Sequence, residues 1–144
     1  MEKQATIINA EGLILGRMAS IIAKKLLNGE EIIIINAEKA VLSGKRKSKI
    51  REAKEFLEVG YPRRGPFHYR RPDRIVRRTI RGMLPYKQPK GKQAYKRLKV
   101  FMGTPEHLKE QKTETLSEAQ AEKLKCPYFT IEEFAKEIGW NVEE

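Results

Sequence analysis

The chain has 144 residues, 40% hydrophobic and 34% charged, with 30 Lys and Arg against 19 Asp and Glu and a net charge of +11. That length suits one domain with its own core and excludes two large ones. A single Cys126 and two distant histidines, His68 and His107, exclude an internal disulfide and a structural zinc site, and no apolar run reaches the about eighteen residues that span a bilayer.

The first thirty residues carry acids where a signal peptide needs an unbroken apolar stretch, so the expectation is a soluble intracellular protein. Residues 5–10, ATIINA, predict a buried strand, and the shift at Glu11-Gly12 to apolar positions Leu15, Met18, Ala19, Ile22 and Leu26 predicts a helix. Asn28-Gly29 supplies its left-handed stop. Four consecutive isoleucines, Ile32 to Ile35, read as a strand buried on both faces, as central parallel strands are. Strand, helix and strand make one βαβ unit with a right-handed crossover. The run Ile-Ile-Asn-Ala-Glu occurs at 7–11 and again at 34–38. Two copies make no repeat architecture, but they support parallel strands ending on one edge of the sheet.

Residues 48–59 predict a helix with Ile50, Ala53, Phe56 and Leu57 on its apolar side, stopped by Gly60. The Gly- and Pro-rich stretch 60–71, GYPRRGPFHYRR, predicts a loop, and loops of this length in a small domain usually carry a task. From Pro72 the pattern is helical again: Pro suits the first turn, Asp73 the positive end of the dipole, and Ile75, Val76, Thr79, Ile80, Met83 and Leu84 form one stripe. Arg74, Arg77, Arg78 and Arg81 fall on the opposite face at spacings that align them along one ridge. Residues 87–96 predict a loop-like start and a short helix, residues 98–103 a third strand, and residues 113–116 a weaker fourth one. Residues 117–124 are open between helix and coil. Thr130-Ile-Glu-Glu133 is a capping box for a last helix with Ile131, Phe134 and Ile138 inward, ended by Gly139 before Trp140. This acidic C-terminal part is expected to cover the sheet.

The charge is concentrated. Residues 1–42 are balanced, residues 100–144 are net −5, and residues 43–99 hold 20 basic and four acidic side chains, net +16. That asymmetry points to a polyanionic partner. The same segment holds six of the eleven aromatics, Phe56, Tyr61, Phe67, Tyr69, Tyr86 and Tyr95, interleaved with Arg and Lys. Phosphate-binding cations beside flat stacking faces suit nucleic acid, RNA with splayed bases in particular. A membrane partner would require an amphipathic helix with a broad apolar face free for lipid, and the core needs every such face here. Mixed Lys and Glu would serve a plain solvated surface, whereas Arg forks bind phosphate bidentately and stack on bases.

Enzyme chemistry fits poorly. Gly12-Leu-Ile-Leu-Gly16 follows a strand but lacks dinucleotide-binding spacing and reads as a tight strand-to-helix turn. Ser43-Gly44-Lys45-Arg46 fails as a phosphate loop, with Lys39 in place of the first Gly and Arg46 in place of the metal-binding Ser or Thr. Glu11 and Glu38, each just past a parallel strand, would have to converge on a divalent metal to make a nuclease site. With Arg17 and Lys39 nearby and no further carboxylate or histidine cluster, they read as turn caps or ion-pair partners. His68 has no Asp, Glu, Ser or Cys within three residues, so stacking on RNA suits it better than general-base work. Cys126, before Pro127 and without a local base, reads as inert packing.

The runs Ile8-Asn-Ala-Glu-Gly12, Leu15-Gly-Arg-Met-Ala-Ser20, Ile34-Ile-Asn-Ala37, Ser43-Gly-Lys45, Arg78-Thr-Ile-Arg-Gly-Met-Leu-Pro85 and Arg97-Leu-Lys-Val-Phe-Met-Gly103 closely resemble the large-subunit ribosomal protein L13 family, in order over nearly the whole chain. Arg64-Gly-Pro-Phe-His-Tyr-Arg70 and Glu132-Glu-Phe-Ala-Lys-Glu-Ile-Gly-Trp140 look like the archaeal form. The resemblance implies an α/β fold, three-layer α/β/α on a four-stranded, mostly parallel sheet, as one domain over 1–144. It implies a cytoplasmic structural constituent of the large ribosomal subunit that binds 23S rRNA beside neighbouring ribosomal proteins, with no catalysis, metal or cofactor. Carried over by motif position, the RNA-facing residues are Lys45, Arg46 and Lys47, then Arg63, Arg64, His68, Tyr69, Arg70 and Arg71 in the loop. The ridge Arg74, Arg77, Arg78 and Arg81 follows, and after it Lys87, Lys90, Lys92, Lys96 and Arg97.

Overall fold

The structure is a computed structural model and describes residues 4–141. In chain order its elements are β1 (Thr6–Asn9), α1 (Leu15–Leu27), β2 (Ile32–Ile35), β3 (Val41–Ser43), α2 (Arg46–Glu58), α3 (Pro72–Gly82), α4 (Pro89–Lys96), β4 (Leu98–Val100), β5 (Tyr128–Thr130) and α5 (Ile131–Glu137). β1 and β2 pair in parallel from Thr6–Ile32 to Asn9–Ile35, and β4 adds to the other side of β2 in parallel, Leu98 opposite Ile32. The βαβ unit expected from the isoleucine run is therefore present. α1 stops where expected, with the Asn28 N–H donating to the Lys24 and Lys25 carbonyls and Gly29 at φ +94°.

Strand alternation divides the apolar side chains between two faces. Ile8, Ile32, Ile34 and Leu98 join the main core with Leu15, Met18, Ile22 and Leu26 of α1, Val76 and Ile80 of α3 and Ala94 of α4. The other face buries only Ile7 and Ile35 with Leu108, flanked by half-buried Ile33 and Phe101. The cover there is a single 3₁₀ turn, Glu106–Leu108, and not a helical layer. The three-layer expectation is thus corrected: residues 104–116 offer one buried apolar side chain among charged neighbours, too few for a helix with an inward stripe. α5 packs instead against α2, α3 and the turn at 37–39.

The sheet has three strands, in the order β1-β2-β4, where four were expected. Residues 113–116 supply one parallel bridge, in which the Glu114 N–H donates to the Ile7 carbonyl at 2.8 Å and the Glu114 carbonyl accepts from the Asn9 N–H at 3.0 Å. Thr113, Glu114 and Thr115 are all exposed, so nothing apolar holds a longer strand on that edge. β3 and β5, unforeseen, form a separate antiparallel pair with Val41 opposite Thr130 and Ser43 opposite Tyr128. Residues 117–124 settle into two 3₁₀ turns, Ser117–Ala119 and Ala121–Lys123. α5 begins as expected, the Thr130 Oγ1 accepting from the Glu133 N–H.

The repeated Asn-Ala-Glu has a structural use. Asn36 sits in the left-handed region at φ 56°, a conformation Asn tolerates better than most residues. Its Nδ2 donates to the Asn9 Oδ1 at 3.0 Å, and the same oxygen accepts from the Glu11 N–H at 3.1 Å. The two copies thereby tie the carboxyl ends of β1 and β2 together.

Gly91 is buried in α4 with the backbone of Pro85 against it, and a Cβ there would overlap the Pro85 carbonyl. Only backbone could give way, so Gly91→Ala is expected to cost about 1–3 kcal/mol, seen as a lower urea midpoint at unchanged m-value. Gly16, on the exposed side of α1 with open space around it, is the control. Gly16→Ala should leave the midpoint unchanged or raise it.

Candidate nucleic-acid interface

α3 organises the basic surface. Pro72 occupies its first turn, and the Asp73 carboxylate accepts from the Arg74 N–H at 2.9 Å and pairs with Arg71 Nε at 3.1 Å. Pro72, Val76 and Ile80 are buried, and the Thr79 hydroxyl donates back to the Ile75 carbonyl at 2.9 Å. At about 100° per residue, burying that stripe turns Arg74, Arg77, Arg78 and Arg81 outward as predicted.

The four arginines are not equivalent. The Arg74 guanidinium lies 5.7 Å from the Tyr69 ring centre, Arg77 lies 4.5 Å from Tyr95, and Arg81 lies 4.8 Å from Tyr86. Tyr86 and Tyr95 meet edge to face at 5.9 Å, so α4 and the 85–88 turn build one tyrosine pair beside the ridge, and the loop adds Tyr69 next to Arg74. A guanidinium over a ring face spends no N–H donor on a carboxylate, so a phosphate can still take two of them. The sequence marked these tyrosines as stacking faces for bases. The structure places Tyr69, Tyr86 and Tyr95 against the protein's own arginines. Arg78 alone has no ring or carboxylate partner among the described residues, and its Nη1 lies 3.3 Å from where a Cβ on Gly82 would stand.

Around the ridge, Lys87, Lys90, Lys92 and Lys96 are exposed on and before α4, and Lys45 and Lys47 are exposed at the start of α2. Arg46 pairs with Glu137 at 3.2 Å, but both side chains are about half exposed, a contact contributing about 0–1 kcal/mol. Arg97 departs from expectation. Half-buried, its Nη1 donates to the Leu26 carbonyl at 2.6 Å and ties the carboxyl end of α1 to the α4–β4 junction. No sequence pattern announces that bond, because its partner is 71 residues away.

The 60–71 segment is more regular than its composition suggests. Tyr61 and Gly65 exchange backbone hydrogen bonds, at 2.9 Å and 3.2 Å, and set Arg63 and Arg64 at the tip of a turn. Gly60 and Gly65 have φ of +92° and +82°, and a Cβ on Gly60 would collide with the Gly65 carbonyl, so Gly is required there. Arg70 lies against Gly139 at the end of α5, and the His68 ring stands 5.7 Å from Phe56. His68 has no hydrogen-bond or carboxylate partner among the described residues.

The acidic residues past β1 and β2 have structural roles or face solvent. Glu38 accepts from the Gly103 N–H at 2.9 Å, a turn cap, while Glu11 is exposed at the Asn9 turn. Among the described residues no three His, Cys, Asp or Glu side chains converge. The Gly44 N–H donates to the Pro127 carbonyl, which removes it from any phosphate cradle. Cys126, expected to pack, is exposed. No helix of the described residues is long and apolar enough to cross a membrane.

Residues 3–107 match the family Ribosomal protein L13. Large ribosomal subunit protein uL13 of Methanosarcina barkeri is 49% identical over 136 residues, covering 93% of this chain and 97% of that one. The uL13 proteins of Methanocaldococcus jannaschii and Archaeoglobus fulgidus are 49% and 45% identical, over 93% and 94% of this chain and 97% and 88% of theirs. The match spans β1 to β4 and the whole arginine ridge, and the chain belongs to the ribosomal protein L13 family.

Proposed function

We propose that this protein is a non-catalytic structural constituent of the large subunit of the cytoplasmic ribosome. Its basic segment over residues 43–99 clamps 23S rRNA and supports folding of that RNA and assembly of the subunit. The observation that carries this reading is the α3 ridge, three of whose guanidiniums lie over tyrosine rings without a carboxylate partner among the described residues. Arg74, Arg77, Arg78 and Arg81 grip phosphates on one strand, with Lys87, Lys90, Lys92 and Lys96 extending that track. Lys45, Arg46 and Lys47, and Arg63, Arg64, Arg70 and Arg71 with His68 and Tyr69, reach adjacent RNA from α2 and the loop. Such contacts read backbone and shape more than base sequence. The net −5 of residues 100–144 keeps that end off the RNA and leaves it to neighbouring ribosomal proteins.

Native cell extract run on a sucrose gradient at moderate and then high salt tests this. The chain is expected in the large-subunit peak at both, because a many-phosphate clamp within a folded RNA dissociates slowly. Recovery among light fractions at moderate salt would overturn the assignment.

A further inference from the structure

α2 has no fully buried residue and packs against α5. Between it, residues 67–69, α3 and α5 is an open cavity of about 200 Å³, walled by Phe56, Phe67, His68, Tyr69 and Arg78 and floored by Phe134. That is below the roughly 300–1,000 Å³ of clefts for drug-sized ligands, so it suits one flat ring system. Phe56 and Phe67 are 60% and 74% exposed, so ring surface of both remains accessible to a ligand.

We infer that this cavity takes a single unpaired nucleobase of RNA, whose phosphate sits on Arg78. The inference rests on the proposed RNA-binding role and adds to it a site with a different ligand chemistry. Three observations support it. Arg78 belongs both to the phosphate-facing ridge and to the cavity wall, so RNA held on the ridge has its bases within reach of the opening. Arg78 is also the ridge arginine without a stacking or carboxylate partner among the described residues, which leaves its donors for a ligand. The cavity joins ring faces to the polar edges of His68 and Tyr69, a combination that stacks a base and hydrogen-bonds its rim. An apolar protein side chain seated there would leave those polar atoms and the guanidinium unpaired against it.

The test uses the full chain and two synthetic RNA hairpins identical except at one bulged position, which carries 2-aminopurine in one and an abasic ribose in the other. Phosphate contacts are sequence-independent and stacking is tolerant of base identity, so a generic hairpin reports on both. The base-bearing hairpin is expected to bind about tenfold tighter, the effect of one stacked base, with its 2-aminopurine fluorescence quenched on binding. The double substitution Phe56→Ala with Phe67→Ala removes two exposed rings and should make the two hairpins bind equally. Equal binding of both hairpins by the unsubstituted chain, without quenching, would overturn the inference while leaving the RNA-binding role standing, and would assign the cavity to a protein neighbour. Failure to bind either hairpin at low salt would overturn both.

Discussion

Raising monovalent salt from about 50 to about 200 mM is expected to weaken binding of the full chain to large-subunit rRNA by about 10³- to 10⁵-fold. The size of the effect depends on how many cations of the basic segment are free to meet phosphate. Arg97 is held on the Leu26 carbonyl and Arg71 pairs with Asp73. Exposed Lys45, Lys47, Arg63, Arg64, Arg74, Arg77, Arg78, Lys87, Lys90, Lys92 and Lys96 have no carboxylate partner among the described residues. If about eight to ten of the segment's cations reach phosphate, counterion release gives a log–log slope of roughly −6 to −9. A slope shallower than about −3 would mean that the ridge faces solvent. Replacing Arg77 and Arg81 with Ala together should reduce the slope by about two. Their tyrosine contacts contribute about 0.5–1 kcal/mol each at exposed sites, so the double variant should keep a cooperative melt. Loss of that melt would make the arginine–tyrosine stack a structural element instead.

The parts of this arrangement that were legible in the sequence are those written in local period. The isoleucine run, the Leu15-to-Leu26 stripe and the Pro72 start each specify an element within one stretch of chain, and the structure has them all. The arginine ridge was legible for the same reason, since burying Val76 and Ile80 determines where the other face points. What the sequence did not disclose is long-range. β3 pairs with β5 across a long stretch of chain, each only three residues long. Arg97 bonds a carbonyl in α1, and Tyr95 and Tyr86 meet arginines on another helix. No fourth strand forms because a short β-prone run holds an edge only where it buries apolar side chains, and Thr113 to Thr115 are exposed. The tyrosines show the same limit at the site. Their composition matches base stacking, but only the tertiary packing around α3 shows which arginine reaches each ring.

Truncation of Ile80 to alanine is expected to lower the unfolding free energy by about 2–5 kcal/mol, a large share of the roughly 5–15 kcal/mol of an ordinary domain. Ile80 is fully buried on the inward stripe of α3, in the cluster that holds Met18, Ile22 and Val76. Removing its outer methyl groups costs their transfer from water and leaves a cavity, because the α1 and sheet side chains around it are themselves fully buried and cannot collapse inward freely. Ile80→Val, which keeps most of that volume, should cost only about 0.5–1.5 kcal/mol, so the pair of variants separates a packing effect from a general intolerance of substitution. A urea midpoint for Ile80→Ala equal to that of the unsubstituted chain would show that α3 is not anchored by this stripe. Under conditions where Ile80→Ala is still folded, its salt slope for RNA should match the unsubstituted value, because none of the ridge cations has been removed. Stability and salt slope therefore respond to opposite faces of one helix: substitutions at Val76 or Ile80 move the first, and substitutions at Arg77 or Arg81 move the second. A core variant that changed the slope would mean that RNA binding depends on the fine placement of α3 against α1, and not on the number of exposed cations it carries.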